Sequence, residues 1–407
     1  MATFNLRRFS KIDTLRRVAP EHLINFLARH ADYFSGRGLE LPSVESGDEL
    51  DYIKLSLLLL NPDANTPNDL SEALYYIDEM STLEGFDSIQ DAIEGTDIDI
   101  AVDDNAAYAD LAIQVWMQKP AILERLRSEQ FLLRPRSFDY FKATNASDIV
   151  FEQPSDETIH NLEGDLDEWF AKKRRGRESK VFVYVKDDFV CFLVRHGAPF
   201  TRESIIKEGE SSSLFYRPEK FDVIVYNPAT GEIRMHAKSK GEKELYRTMF
   251  GLHFFGDKEF FDGKNKFTLE PLREYGEDSL LCEDIEGMDW VRLKEIQIYR
   301  GGTFKDVEIR KSEDLFASLR AQERTLHAGG KLIKASFLIK FSDSKKPRTV
   351  VLNTGNKAQF KRDDDADILE EWLNQRGFII DDTEEDSDRP TIMAVPGDIA
   401  SSEQPVV

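Results

Sequence analysis

The stretch DVIVYNPATGEIRMHAK, from Asp222 to Lys238, decides the fold that the sequence predicts. Its first part is an apolar run that begins with an aspartate, and its last part alternates apolar and polar residues. Between them, the segment NPATG contains the residue types that favour a tight turn. The stretch therefore predicts a β-hairpin, and the residues that follow it predict a helix.

The segments around this hairpin predict a mixed α/β domain over residues 139–285. A helix is expected at 161–177, followed by two short apolar strands at 181–186 and 189–195. The segment 201–219 contains three consecutive serines and many charged residues, so it is predicted to be a polar loop. The predicted order is therefore helix, two strands, hairpin, helix.

The whole chain predicts an α+β protein with four parts. Residues 1–138 contain short amphipathic segments, which predict an acidic, all-α helical domain. Residues 286–380 follow the order strand, strand, helix, strand, strand, helix, which predicts a second mixed α/β unit with antiparallel hairpins. Residues 381–407 are acidic and contain too few apolar residues for a core, so a disordered tail is expected.

Opposite charges are segregated along the chain. Residues 40–110 contain 19 acids and one lysine, and residues 363–407 contain 14 acids and two arginines. The formal net charge is −22, so the remaining residues carry about +8. Two interpretations are open: a charged surface that keeps the protein in solution, or an acidic surface that binds a basic partner.

The order of elements over residues 160–255 resembles the core of the PD-(D/E)xK nucleases. In that family an acid on one strand and an acid-x-Lys on the next strand bind Mg²⁺ and position a water molecule. By this resemblance Asp222 is the strand acid and Lys238 is the lysine. His236 stands where the second acid is expected, and Glu232, on the same face of the same strand, is its replacement. A plain hairpin with polar ends is the alternative.

Two basic clusters predict contacts with phosphate groups. The first cluster, in AKKRRGRESK, ends a predicted helix, where cations also favour the helix dipole without any ligand. The second cluster lies in a predicted hairpin of the last α/β unit. The candidate nucleic-acid-binding residues are Lys172, Lys173, Arg174, Arg175, Arg177, Lys345, Lys346 and Arg348.

Several function classes lack their sequence motifs. Cys191 and Cys282 have no metal-site spacing, and neither a phosphate-binding glycine loop nor a nucleophile elbow occurs. No metal or cofactor is therefore predicted, apart from Mg²⁺ under the nuclease alternative. No run of eighteen apolar residues occurs, so no membrane contact is expected, and a reducing cytoplasm is the predicted compartment.

Charge segregation without a convincing catalytic set predicts a non-enzymatic accessory subunit of a larger cytoplasmic assembly. The acidic helical domain is expected to bind a protein with a basic surface, and the basic body to bind nucleic acid or a second subunit. The alternatives are a degenerate metal-dependent nuclease and a protein that binds nucleic acid regardless of sequence. The sequence leaves the oligomeric state open.

Overall fold

The computed structural model describes residues 6–44, 49–63, 65–101, 105–144, 151–186, 189–207, 209–261, 263–326, 329–361 and 365–380. The chain divides into two compact units. The first comprises Met1–Leu132 and Glu203–Leu214, and the second comprises Leu133–Arg202 and Phe215–Val407. The acidic tail predicted at 381–407 lies outside the described residues.

The chain begins with helices, as the sequence predicted, and the mixed α+β class is confirmed. The helices of the first unit are α1 (Ile12–Leu15), α2 (Pro20–Ala28), α3 (Ala31–Gly36), α4 (Tyr52–Leu60), α5 (Asn68–Met80), α6 (Leu83–Ile93), α7 (Tyr108–Gln118) and α8 (Pro120–Glu129). Helix α7 packs against α2, α5, α6 and α8. Its buried apolar side chains therefore form the centre of the unit.

Helix α7 also carries a buried acid, Asp110. Its Oδ1 accepts hydrogen bonds from the backbone N of Ala19 at 2.9 Å and from Nδ1 of His22 at 3.0 Å. The amide of Gln114 donates to Oδ2 at 2.9 Å. These bonds offset the cost of removing the carboxylate from water, so Asp110 fastens the start of α2 to α7.

Ten strands of the second unit form one sheet in which every pair is antiparallel. Their order across the sheet is β2-β3-β6-β7-β1-β12-β11-β10-β8-β9. The strands of the described residues are β1 (Ser137–Lys142), β2 (Lys180–Lys186), β3 (Phe189–Gly197), β4 (Thr201–Lys207), β5 (Glu210–Tyr216), β6 (Glu219–Asn227), β7 (Glu232–His236), β8 (Met288–Gly301), β9 (Asp306–Lys311), β10 (Lys331–Phe341), β11 (Arg348–Asn353) and β12 (Lys357–Gln359).

Strand β1 lies in the middle of this sheet and joins its two halves. It pairs with β7 on one side and with β12 on the other. The sheet therefore takes strands from both of the predicted α/β units, 139–285 and 286–380. The prediction that these two regions are separate folding units stays a prediction.

The segment predicted to be a polar loop, 201–219, was assigned wrongly. It contains β4 and β5, which pair with each other as a separate two-stranded sheet. None of the side chains in either strand is buried. The strands therefore lack the apolar alternation by which a strand is recognised in sequence.

The helices of the second unit cover the sheet with apolar side chains. They are α9 (Asp156–Lys172), α10 (Lys240–Phe255), α11 (Pro271–Glu274), α12 (Leu315–Ala321) and α13 (Ala366–Gln375). Helices α9 and α10 contribute Leu166, Phe170 and Phe250 to one core with β3, β6 and β7. Within the described ranges, no helix combines the length and the apolar character needed to cross a bilayer.

Candidate functional site

The predicted strand acid, Asp222, lies in a buried hydrogen-bonded cluster. Strand β6 pairs with β3 so that Asp222 is opposite Val194, and His196, two residues further along β3, projects from the same face. Nε2 of His196 is 3.1 Å from Oδ2 of Asp222. The hydroxyl of Tyr246, in α10, donates to the same oxygen at 2.7 Å.

The ring of His196 has a hydrogen-bond acceptor at each nitrogen. Nε2 faces Asp222, and Nδ1 is 3.0 Å from the carbonyl oxygen of Gly197. Both hydrogen bonds form together only if both ring nitrogens carry protons, or if the carboxyl of Asp222 carries one. The ring of Phe170 stacks on the imidazole at a centroid distance of 4.4 Å. The imidazole of His196 is therefore held in place by Asp222, Gly197 and Phe170 together.

A second carboxylate, Glu242, lies beside this cluster in the first turn of α10. It forms a capping box with Ser239, whose hydroxyl accepts a hydrogen bond from the backbone N of Glu242 at 3.2 Å. The guanidinium of Arg175 also bonds to Glu242. Burial by itself would raise the pKa of Glu242, but the hydrogen bonds from Arg175 and Ser239 outweigh burial and lower that pKa.

His196, Asp222 and Glu242 each place one ligand atom within 4.8 Å of the others, a spacing at which a metal ion can bind. Mg²⁺, the ion that the nuclease resemblance implies, requires oxygen ligands and retains several waters. This site offers an imidazole and a carboxylate bound to the guanidinium of Arg175, and the Oδ2 of Asp222 already accepts two hydrogen bonds. These residues do not fit Mg²⁺. The five side chains of this region are instead connected by hydrogen bonds and an ion pair, and we call them the buried network. They are Arg175, His196, Asp222, Glu242 and Tyr246.

The four nuclease candidates do not converge on one point. Strand β6 pairs with β7 so that Val223 is opposite His236 and Asn227 is opposite Glu232. Opposed residues share a face of the sheet, and neighbours along a strand alternate between faces. Asp222 therefore projects from one face, while Glu232 and His236 project from the other.

Each of the other three candidates has different surroundings from Asp222. Glu232 pairs with Lys266 at 2.7 Å, and Nδ1 of His236 is 2.9 Å from the carbonyl oxygen of Ser137. Lys238 is exposed beyond the end of β7. The metal site implied by the nuclease resemblance is not formed by these four side chains, so the nuclease alternative gains no support from them.

Replacing Tyr246 with phenylalanine should lower the free energy of unfolding by about 2 kcal/mol at neutral pH, because a buried hydrogen bond to a carboxylate is lost. Burial, and then Asp222, raise the pKa of Tyr246 well above its usual 10.0. The raised pKa means that the folded wild-type protein favours the neutral phenol of Tyr246. Its contribution to the free energy of unfolding is therefore fully present below pH 10.0 and is lost as the pH rises further. The phenylalanine variant should lose less stability across that range.

Urea denaturation at neutral pH and just above pH 10 measures both effects. Tyr108, which is exposed on α7, provides the matched control. Tyr108→Phe should leave the stability and its alkaline decline as they are in the wild type. An unchanged stability of Tyr246→Phe at neutral pH would show that the hydrogen bond to Asp222 contributes nothing.

The first basic cluster forms the turn between α9 and β2. Arg174 and Gly176 have positive φ values of 61° and 91°, which reverse the chain over a few residues. A Cβ at Gly197 would lie 2.4 Å from the carbonyl oxygen of Arg175, so glycine permits this turn to approach β3 closely. Arg175 then reaches Glu242 in the buried network. The candidate residues exposed in this turn are Lys172, Lys173, Arg174 and Arg177.

The second basic cluster lies at the β10–β11 turn. Lys345 and Lys346 are exposed there, and Arg348 pairs with the buried Asp365 at 2.5 Å. A cavity of about 410 Å³ lies beside this turn. The basic residues that line it are Arg136, Lys346, Arg348 and Lys361. Nucleic-acid binding by either cluster stays a prediction.

In the first unit, α4 presents an apolar stripe to solvent. Ile53, Leu57 and Leu60 share one face of the helix, and their exposed fractions are 58%, 57% and 51%. Leu55 and Leu59 face the core of the unit. We call the three exposed residues the α4 stripe. The exposed acids described within 40–110 are Glu40, Glu49, Asp51, Asp63, Asp69, Glu72, Glu84, Asp87, Asp91, Glu94, Asp97 and Asp99.

The partners of Asp222 were not predicted from the sequence, although a signal for one of them was present. Ser239 and Glu242 have the spacing of a capping box, which fixes the start of a helix. Tyr246 then follows Glu242 by four residues and lies on the same side of that helix. No comparable local signal identifies His196.

Comparisons with known proteins identify no relative. No protein-family model matches the chain, and no curated protein sequence is significantly similar to it. Similarity therefore assigns the chain neither a family nor an activity.

Proposed function

We propose that this protein is a non-enzymatic subunit of a larger cytoplasmic assembly, and that its helical unit binds a basic amphipathic helix of a partner protein. The observation that carries the proposal is the α4 stripe. Three large apolar side chains at helical spacing, each more than half exposed, form a contact surface of their own. Cys191 and Cys282 are not joined by a disulfide, which is compatible with the reducing compartment that we propose.

The α4 stripe supplies the apolar part of such an interface. Full burial of an aliphatic side chain of this size contributes roughly 1.5–3 kcal/mol, so partial burial of three amounts to a few kcal/mol. An apolar face of this width and spacing suits a partner helix with anchors at matching intervals. The partner is therefore expected to present leucine-like side chains along one face.

The exposed acids of the same unit determine the charge of the partner. Twelve carboxylates are exposed within the described part of 40–110, against the half-buried Lys54, the only base in that stretch. Complementary lysines and arginines would accelerate association and exclude acidic competitors. The affinity should therefore fall as salt is raised, because exposed charges are screened within about 10 Å at 0.1 M ionic strength.

A second candidate function is contact with nucleic acid through the turn that follows α9. Four of its cations are exposed, and phosphate neutralisation by such a cluster does not depend on sequence. A gel-shift assay with single-stranded DNA, RNA and duplex DNA at low and moderate salt tests this. The variant changes Lys172, Lys173 and Arg174 to alanine and retains Arg175. Equal shifts for variant and wild type would remove this candidate.

The leading proposal is tested with a synthetic helix of leucine and lysine as the probe and oligolysine as the comparison. The wild-type protein should bind the amphipathic helix more tightly than oligolysine, because only the former contacts the α4 stripe. Changing Ile53 and Leu57 to serine should weaken binding of the amphipathic helix by about tenfold or more. Fluorescence anisotropy of a labelled peptide measures both affinities.

Leu281, an exposed leucine of the second unit, provides the matched control. Leu281→Ser should bind the amphipathic helix as the wild type does. The proposal fails if the two serines at 53 and 57 have no effect, or if oligolysine binds as tightly as the amphipathic helix. Circular dichroism of the double variant verifies that the helical unit still folds.

A further inference from the structure

The second unit contains a cavity of about 630 Å³, which lies in the size range of small-molecule sites. One wall consists of strands β3, β6, β7 and β1, and the other consists of residues 264–266, helix α13 and residues 379–380. The charged side chains that line it include Lys142, Arg234, Lys264 and Lys266 and the carboxylates of Glu370 and Glu371. This cavity is separate from the buried network, because Asp222 projects from the opposite face of the sheet.

Strand pairing brings the cations of the sheet wall together. β1 pairs with β7 so that Tyr140 is opposite Arg234 and Lys142 is opposite Glu232. Opposed residues share a face, so all four side chains belong to the wall of the cavity. Lys266 joins them from the other wall and pairs with Glu232 at 2.7 Å.

Aromatic rings hold two of these cations in place. The guanidinium of Arg234 lies over the ring of Phe189 at 4.8 Å, and Nζ of Lys266 lies over the ring of Tyr140 at 4.2 Å. Such contacts fix a cation while leaving its hydrogen-bond donors for other groups. A guanidinium presents a planar fork of donors that matches a carboxylate or a phosphate.

Arg234 differs from Lys266 in its hydrogen bonding. Lys266 has Glu232 as its partner, whereas the buried Nε of Arg234 meets no acceptor among the described residues. This Nε is too deeply buried for a ligand to reach, so a ligand oxygen in the cavity would bond to the terminal nitrogens of the same guanidinium. Arg234 is therefore the side chain of this wall that is prepared for an anion.

Helix α13, in the opposite wall, contributes hydrogen-bond acceptors. Glu370 and Glu371 line the cavity from α13, and Asn374 follows one turn later. These acceptors suit amino or hydroxyl groups of a ligand rather than a second anion. Helix α13 thus contributes acceptors to the cavity, whereas the sheet and residues 264–266 contribute its cations.

We propose that this cavity binds a small polar molecule that carries a carboxylate or phosphate group, with Arg234 as the anchor for that group. The oxyanion bonds to the guanidinium of Arg234, with Lys142 and Lys264 near it, and donor groups at the other end of the molecule bond to Glu370 or Glu371. The site lies in the second unit, whereas the surface that we propose for the partner protein lies in the first unit. The two proposals are therefore independent of each other.

Isothermal titration calorimetry with inorganic phosphate, citrate, glutamate and AMP tests this proposal at low salt. At least one probe should bind the wild-type protein saturably, and its class distinguishes carboxylate from phosphate ligands. Arg234→Met should weaken that binding about tenfold or more, because a charge-assisted hydrogen bond is removed while the contact with Phe189 is retained. Arg195→Met is the control, because Arg195 lies over Phe182 at 5.8 Å in β3 and does not line the cavity.

A second variant keeps the proposal testable if Arg234→Met does not fold. Asn374 is exposed on α13 and lines the cavity, so Asn374→Trp fills the space without changing a charge. It should weaken the same probe about tenfold as well. The proposal is overturned if no probe binds at up to about 10 mM. It is also overturned if Asn374→Trp retains full affinity, or if Arg195→Met weakens binding as much as Arg234→Met does.

Discussion

Replacing Arg175 with methionine is expected to lower the free energy of unfolding of the second unit by about 3 kcal/mol. The guanidinium bonds to Glu242, whose side chain is only 2% exposed, so methionine leaves a buried carboxylate without its cation. The expected loss is at the lower end for a broken buried ion pair, because the Arg175 side chain retains 19% exposure. Urea denaturation followed by tryptophan fluorescence measures it.

The dependence of the unfolding free energy on pH should change as well. In the wild type the pKa of Glu242 is lowered from 4.5, so its stabilising contribution is present above pH 4.5 and is lost as the pH falls through the lowered pKa. Removing Arg175 takes away its hydrogen bond and its charge, both of which lower this pKa, so the pKa of Glu242 should rise and the protonated carboxyl should be favoured more than in the wild type. The deficit of Arg175→Met relative to the wild type should therefore shrink as the pH is lowered.

Neighbouring cations and a double variant provide the controls. Lys172 and Arg177 are exposed in the same cluster, and their methionine variants should change the stability by less than about 0.5 kcal/mol. Combining Arg175→Met with Glu242→Gln should recover part of the loss, because the unpaired charge is removed. If Arg175→Met is as stable as Lys172→Met, Arg175 is a surface cation, as the prediction that this cluster contacts phosphate groups assumed.

Most of the second unit could be predicted from the sequence because its strands and helices have strong local patterns. The 222–238 hairpin combines an apolar run, turn residues and an alternating strand, and it is present as β6 and β7. The pattern over 286–380 likewise corresponds to β8, β9, α12, β10, β11 and α13. Strands β1 and β12 were not predicted, and the three residues of β12 are too few to show a period.

The candidate site could not be predicted because its contacts are distant in sequence and depend on strand register. Arg175 and Glu242 are 67 residues apart, and His196 and Asp222 are 26 apart. Alternation along β7 placed Glu232 and His236 on one face, but a shift of one residue against β6 decides whether Asp222 joins them. The turn residues were compatible with several loop lengths, so the sequence left this register open.

Replacing Trp372 with alanine should lower the free energy of unfolding by about 4 kcal/mol. The side chain is fully buried, packs on Phe337 and Phe378, and donates a hydrogen bond from Nε1 to the carbonyl oxygen of Leu281 at 3.0 Å. Alanine therefore creates a cavity beneath α13 and leaves that carbonyl without this donor. Trp372→Phe, which retains an aromatic ring, should lose less stability.

The same variant tests whether the predicted units 139–285 and 286–380 unfold together. With Trp116 and Trp290 changed to phenylalanine, Trp169 in α9 is the remaining tryptophan in both Trp372 variants. Its fluorescence therefore reports on the unfolding of residues 139–285. Because β1 pairs with β12, loss of stability beneath α13 should lower the urea midpoint of the Trp169 transition as well. A Trp169 midpoint that stays the same while circular dichroism shows an earlier transition would mean independent unfolding. The three pairs between β1 and β12 would then be too few to couple the two halves of the sheet.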